Sequence, residues 1–433
     1  VNVVSPSVVT NGSIITAVWN DFTNGDGIAL GEVQTSFSTN GGNTWSTPLT
    51  ISTANASDPE IVLDGNNISA IWGAPDGITV ANSTDNGATW STPVIISGAM
   101  PITNGQTATP QLVRDGARVV ALWSADGVVE SATSTDGGAS WGAVTSFGLG
   151  SSTNLSSDGL VIGATWVAGD QHIWASASTD GGVSWGAPSD VSGAGATTTP
   201  RVVVAGTRLT LAWTDTSGAI DVIFTAYSAN AGASWSAPAA RTSATNADSP
   251  RIVTGGSRTT IIWRQHNGTS FRTTTASSSD GGATWSTPVD ISTPGVHNTE
   301  GYGYPLGGPE IVSDGTTLSA TWSESTGGSY QTVFSSSTNG TTWSTPTILD
   351  AAGSILQTAP RLTTDGTNVT VVWIDATRGV SVTSYELTDT CSTNPPGQLA
   401  RTGVATELPL LTALALLVIG GALFARKRVR ITH

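Results

Sequence analysis

The chain has 433 residues but only one cysteine, Cys391. An intrachain disulfide and a thiolate metal site are both excluded by that count. Charged residues are scarce at 11%, and 31 acidic side chains outnumber 16 basic ones, for a formal charge of −15. Nucleic-acid binders carry basic stripes, so this balance excludes a phosphate backbone as partner. The histidines His172, His266, His297 and His433 show no metal-ligand spacing, and no metal is expected. Glycine-rich phosphate loops and dinucleotide fingerprints are missing too, so no cofactor is expected. Runs of Leu, Glu and Lys are absent until the C-terminal tail, which excludes a helix bundle.

What the chain does have is Gly (51 residues), Ser, Thr and Asn, and 16 tryptophans. Such a composition favours short strands joined by tight turns. The tryptophans fall into two series. The first is Trp19, Trp72, Trp123, Trp166, Trp213, Trp263, Trp322 and Trp373, each ending a run such as Ile14-Ile15-Thr16-Ala17-Val18-Trp19. The second is Trp45, Trp90, Trp141, Trp185, Trp235, Trp285 and Trp343; only Trp174 stands outside both. Both series recur every 43 to 59 residues, a period that points to a propeller of repeated small sheets.

One repeat reads strand by strand. Pro59 to Leu63, Ile68 to Trp72, Ile78 to Ser83 and Val94 to Ser97 are four short runs bounded by Gly, Asn, Asp or Pro. A sheet this small cannot bury both faces alone, so neighbours must stack on it. Repeats begin at Ser5, Asp58, Thr109, Asn154, Thr199, Ser249, Gly308 and Ala359. The expectation is an all-β, single β-propeller of four-stranded blades over residues 1–390, eight in number, with seven as the alternative. The eighth repeat lacks a fourth strand, and Val1-Asn2-Val3-Val4-Ser5 matches that strand's pattern, so the N-terminal strand is expected to close the ring.

The turns before the second tryptophan series carry a resemblance. Ser83-Thr84-Asp85-Asn86-Gly87-Ala88-Thr89-Trp90 resembles the Asp-box, or bacterial neuraminidase repeat. Ser134 to Trp141, Ser178 to Trp185 and Ser278 to Trp285 match it equally well, whereas Asn40 and Asn230 take the Asp slot in two further copies and Thr338 in the weakest. The residues themselves predict a local structural role: Asp or Asn holds a tight turn, Gly supplies a left-handed backbone, and the indole shields the turn. In the family these boxes lie opposite the catalytic face, so they imply a propeller and not an activity.

The C-terminal tail differs from the rest. After a linker at 391–398, the segment 399–433 begins Leu399-Ala400-Arg401-Thr402-Gly403 and continues with an apolar stretch from Leu408 to Ala425. That stretch is long enough for a membrane-spanning helix, and the basic cluster from Arg426 to Arg430 would hold its end cytoplasmic. The three parts together resemble the Leu-Ala-x-Thr-Gly sorting signal of actinobacteria. The resemblance implies cleavage between Thr402 and Gly403 by a sortase transpeptidase and attachment to peptidoglycan. It places the protein secreted and anchored to the cell wall of a Gram-positive cell, spanning the membrane before sorting. Export needs a leader; none is visible at Val1 to Val4, so the expectation is a leader already removed, or a fragment. A plain membrane anchor that is never cut is the other reading of the tail.

For chemistry, the residues after the strand-starting prolines matter, because they open onto the face opposite the Asp-box turns. They include Glu60, Gln111, Arg201, Arg251, Glu310 and Arg361. The long connection from His297 to Pro309 adds Glu300, Tyr302 and Tyr304. This set is similar in kind to a sialidase site, in which three arginines clamp a carboxylate and a tyrosine activated by a glutamate is the nucleophile. The resemblance makes Tyr302, Tyr304, Glu300 and Glu310 the catalytic candidates. Arg201, Arg251, Arg361 and Glu60 are candidate ligand-binding residues, with Trp174 as an exposed aromatic contact. Two departures weigh against catalysis. Val4-Ser5-Pro6-Ser7 lacks the family's Arg-Ile-Pro motif, and the family has six blades. The expected function is non-catalytic recognition of an extracellular glycan or protein ligand. The alternatives are a sialidase-like glycoside hydrolase and a structural surface protein.

Overall fold

The computed structural model describes residues 2–22, 31–53, 55–97, 110–193, 195, 197–242, 245–266, 270–294, 308–325, 330–349, 360–374 and 380–386. Among these residues every regular element is a strand. The strands form antiparallel sheets in strict chain order. Six sheets stand alone, and a seventh of seven strands is two blades joined by one long strand, Thr145–Asp158, giving eight blades in all. Thr145–Asp158 is the outermost strand of blade three at its start and the innermost strand of blade four at its end.

The core lies between blades and not within them. Eight hydrophobic clusters each bridge two adjacent blades. The first tryptophan series supplies the wedges, with Trp72, Trp123, Trp166, Trp213, Trp263 and Trp322 almost wholly enclosed. Alternation along strand two puts each indole on one face of its blade while its neighbours in sequence face the other. The last cluster joins Val372 and Val382 of blade eight to Val8, Ile15 and Trp45 of blade one. Gly12 N also donates to Asp365 Oδ2 across that boundary at 2.6 Å. The ring is therefore an eight-bladed β-propeller, closed by packing of its last blade on its first.

The N-terminal segment does not close the ring by strand exchange. Asn2, Val3 and Val4 pair with Phe22, Asp21 and Asn20 of their own blade. A bulge between Val4 and Ser7 lets the strand run on past Pro6, whose missing N–H is harmless there. The same bulge recurs at Ser57/Glu60, Ser151/Asn154, Thr198/Arg201 and Asp248/Arg251. Residues 2–5 thus resemble a fourth strand in pattern but lengthen an inner one. The described part of blade eight has three strands, Arg361–Thr364, Asn368–Ile374 and Val380–Glu386.

The turns before the second tryptophan series are locally self-contained. In blade two, Asp85 Oδ1 accepts Ser83 Oγ and the Thr89 N–H, both at 2.8 Å, and Asp85 Oδ2 accepts Thr89 Oγ1. Trp90 Nε1 then donates to Gly87 O at 3.1 Å. Asn40 and Asn230 accept the first two bonds through Oδ1 and reverse the third, Nδ2 donating to Thr44 Oγ1 and Ser234 Oγ. In blade seven the turn is one residue tighter: Ser337 and Asn339 do the work expected of Ser336 and Thr338. Gly282 shows why glycine is needed. It has φ of +93°, and a Cβ there would sit 2.7 Å from Thr210 of the preceding blade. The apolar stretch 408–425 and the sorting residues Leu399, Ala400, Arg401, Thr402 and Gly403 lie outside the described residues.

Two measurements check this account. Trp263→Ala opens a cavity between blades five and six and should cost about 3–5 kcal/mol in denaturant unfolding. The turn carboxylates give a pH signature. Hydrogen bonds from Ser140, Ser184 and Thr284 hold Asp136, Asp180 and Asp280 down at about 2. A depressed carboxylate stabilises the fold above its ordinary range, and that contribution is lost as pH falls toward 2. Thermal stability should therefore drop through this acid window, and the triple Asp→Asn variant should drop less.

Candidate functional site

The innermost strand of each blade has one edge paired with strand two and the other facing the axis. Its axial N–H groups need acceptors. The preceding blade supplies them. Ser7 Oγ accepts the Ile61 N–H at 3.4 Å, Asn154 Oδ1 accepts the Val202 N–H at 2.9 Å, and Ser156 Oγ accepts the Val204 N–H at 3.3 Å. At the far end, Asp64 and Asp158 accept the Gly116 and Gly206 N–H groups. The Asp64-Gly65 turn is thus also a clasp between blades.

One level of this axial lining forms a ring. Ser7, Glu60, Gln111, Asn154, Arg201, Arg251, Glu310 and Arg361 each pair with the residue just before the strand-two tryptophan of their blade. The structure therefore places Glu60, Arg201, Arg251, Glu310 and Arg361 at one level. It adds Asn154, which sequence reasoning missed because Thr153 replaces the proline there. Counting back from Trp166 would have found it.

The ring has two unlike halves. In blades seven and eight, Glu310 Oε1 accepts Arg361 Nη1 at 2.6 Å and, from blade six, Arg251 Nε at 3.2 Å. Glu310 is buried, but Arg251, Arg361 and Arg201 together hold its carboxyl below the usual range. Arg201 forms no ion pair among the described residues; its Nη1 donates to Pro200 O at 2.9 Å. Burial and the adjacent Arg251 pull Arg201 down to about 9, so it is still charged at neutral pH. The other half carries no arginine. Gln111 Nε2 donates to Glu60, and Asn154 Nδ2 donates to Gln111 Oε1 at 3.3 Å. Burial pushes Glu60 up to about 7 despite Arg361 and Arg201 across the axis. Glu60, Gln111, Asn154, Arg201, Arg251 and Glu310 are half-buried, and Arg361 is exposed.

Backbone strain accompanies the ring. Asp58, Thr199 and Ser249 have φ of 47°, 51° and 54°, each immediately before the proline that precedes Glu60, Arg201 or Arg251. A left-handed residue costs roughly 1–3 kcal/mol and is disfavoured before proline. The bulge turns the proline carbonyl onto the following side chain: Pro200 O accepts Arg201 and Pro250 O accepts Arg251.

The remaining candidates lie elsewhere. Trp174 is on the third strand of blade four, partly buried against Trp166 and Trp185, with Nε1 donating to Asp170 Oδ2 at 3.3 Å. It is a packing residue beside the core, because its strand places it opposite Trp166. Next to it, His172 Nδ1 contacts Asp190 Oδ2 at 2.8 Å, and that hydrogen bond raises the imidazole above its usual range. Glu300, Tyr302 and Tyr304 lie outside the described residues. Among the described residues no group of three or more His, Cys, Asp or Glu could hold a metal.

No family model matches the chain. No curated protein matches it either. Solved structures do. A polysaccharide lyase, an ulvan lyase, is similar over 89% of this chain and 94% of its own, at 8% identity and a TM-score of 0.50. A Dyadobacter fermentans protein of unknown function aligns over 76% of this chain and 92% of its own, at 14% identity and a TM-score of 0.42. The Trypanosoma rangeli sialidase, solved with sialic acid, aligns over 78% and 54%, at 14% identity and a TM-score of 0.38. The likeness to the lyase is one of fold.

A raised carboxyl lowers stability as pH climbs through its range, because the folded state must give up a proton that it holds more tightly than the unfolded chain. Glu60 lies at about 7 instead of 4.5, so the penalty grows between those values. Glu60→Gln should therefore gain about 1–3 kcal/mol over the parent on going from about pH 4 to about pH 8, measured by thermal denaturation at both.

Proposed function

We propose that the axial ring is the binding site of a surface recognition protein, and that its ligand is an extracellular glycan bearing an anionic group. One observation carries this reading: Arg201 keeps its charge in a half-buried position with no carboxylate partner among the described residues. An uncompensated buried charge costs several kcal/mol, a cost that a ligand anion would offset. Arg251 and Arg361 flank the same opening and among the described residues share only Glu310, so the cationic half has one positive charge to spare there even after Glu60 is counted. Guanidinium forks suit carboxylates and sulfates, whose paired oxygens they can hold together. Polysaccharide is bound on this fold elsewhere, since the ulvan lyase was also solved with a -[GlcA(1-4)Rha3S]- ligand.

A sialidase-like hydrolysis is the second reading, favoured by the three arginines around one opening. Against it, Glu310 is committed to two guanidiniums and is not free to activate a tyrosine. The turns with Ser, Asp and Trp act here as Asp-boxes in the structural sense, and the resemblance of the tail to a sorting signal makes sortase and peptidoglycan the proposed partners on the wall.

An acidic-glycan panel with the full chain tests the main reading. Binding should weaken about 10- to 100-fold in Arg201→Ala, the loss of one charge-assisted hydrogen bond. Turnover of a fluorogenic sialoside would favour the hydrolase instead, and indifference to every acidic glycan would sink recognition at the ring. For the tail, protein released from the wall by a muralytic enzyme should end at Thr402 by mass spectrometry; a retained 403–433 segment would rule sorting out.

A further inference from the structure

Two carboxylates stand in the ring, and only Glu310 takes arginine partners among the described residues. Glu60 sits instead at the end of an oriented amide chain. The chain starts from a backbone N–H, which can only donate: Val202 N–H points at Asn154 Oδ1. Asn154 must then offer its NH2 to Gln111 Oε1, and Gln111 must offer its own NH2 to Glu60 Oε2. No amide in the chain can turn round without losing a bond at both ends. Glu60 Oε2 is therefore a fixed acceptor, and a proton on this carboxyl belongs on Oε1. The groups facing Glu60 from the other blades are Arg361, Arg201 and Glu310, with the Leu112 N–H beside it on blade three. None of them needs that proton.

We propose that Glu60 is a specificity-determining residue of the axial site and acts as the neutral acid. An oxyanion enters beside Arg201, Arg251 and Arg361 together with one proton, which Glu60 holds and donates as a hydrogen bond to the ligand oxygen. The only bond formed is the Glu60 O–H bond: where Glu60 is ionised in the free protein, one proton is taken from solvent for each anion bound. The inference rests on the reading of the ring as an anion site and adds the protonation state in which it binds. Two carboxylates brought face to face share a proton because both cannot stay ionised at short range. With Glu60 neutral, three guanidiniums oppose only Glu310, and the ring gains a unit of positive charge toward the ligand. Burial already places Glu60 at about 7, so little work is needed to supply the proton near neutrality.

Isothermal titration of the full chain with D-glucuronate tests this, run from about pH 5 to about pH 9 in two buffers of different ionisation enthalpy. The affinity should be level below about pH 7 and fall about tenfold per unit above it. Uptake should approach one proton per glucuronate at about pH 8. Glu60→Gln should take up no proton and lose the slope. If glucuronate binds with no proton uptake, or with the same pH profile in parent and Glu60→Gln, the proton-coupled role is overturned and the anion site stands. If glucuronate binds at no pH, both are overturned. Should Glu60→Gln fail to fold, proton uptake by the parent protein decides alone.

Discussion

A propeller has a constraint that an isolated sheet lacks: every blade points one strand edge at a common axis. Those edges carry N–H groups that pair with nothing in their own sheet. At four of the blade boundaries such groups are answered by a side chain of the preceding blade, as Asn154 answers Val202 and Asp365 answers Gly12. This makes the blades concerned depend on a neighbour for polar satisfaction, just as the tryptophan wedges make them depend on a neighbour for burial.

Capping alone asks very little of the side chains involved. Ser7 and Asn154 do it with small neutral groups. Three arginines and two glutamates at the same level exceed that need, and they are segregated. The arginines lie in blades five, six and eight, and the neutral amides in blades three and four. Enclosed charge of this kind lowers stability, as do the left-handed residues that precede it at Asp58, Thr199 and Ser249. These costs gather at one opening, the one proposed above as the binding site.

Much of this was legible from sequence. The tryptophan period predicted the blades, and the proline at each inner strand marked most of the ring. Where the proline signal was absent, at Ser152-Thr153, Asn154 went unnoticed, although it holds the orientation of the entire amide chain. The N-terminal segment was misread because β-strand patterns do not say which neighbour a strand will choose. Val3 and Val4 fit a fourth strand and a lengthened first strand equally well, and only the bulge at Ser5-Pro6 decides between them. Trp174 stood out because it broke the repeat, yet a residue out of register can still face a core. The pairing of Trp174 with Trp166 puts it there.

The sequence by itself determined the repeat, its strand count and the turn chemistry, because these depend on residues close together in the chain. A hydrogen bond from Thr89 to Asp85 spans four residues and needs no distant partner. The tertiary structure alone decided which charges meet. Arg251, Glu310 and Arg361 come from three blades, and among the described residues their pairing leaves Arg201 without a carboxylate and Glu60 without an arginine. Five charged residues at matching repeat positions permit several pairings. Distances across the axis, burial and the direction of one backbone N–H select among them, and those exist only once the ring has closed.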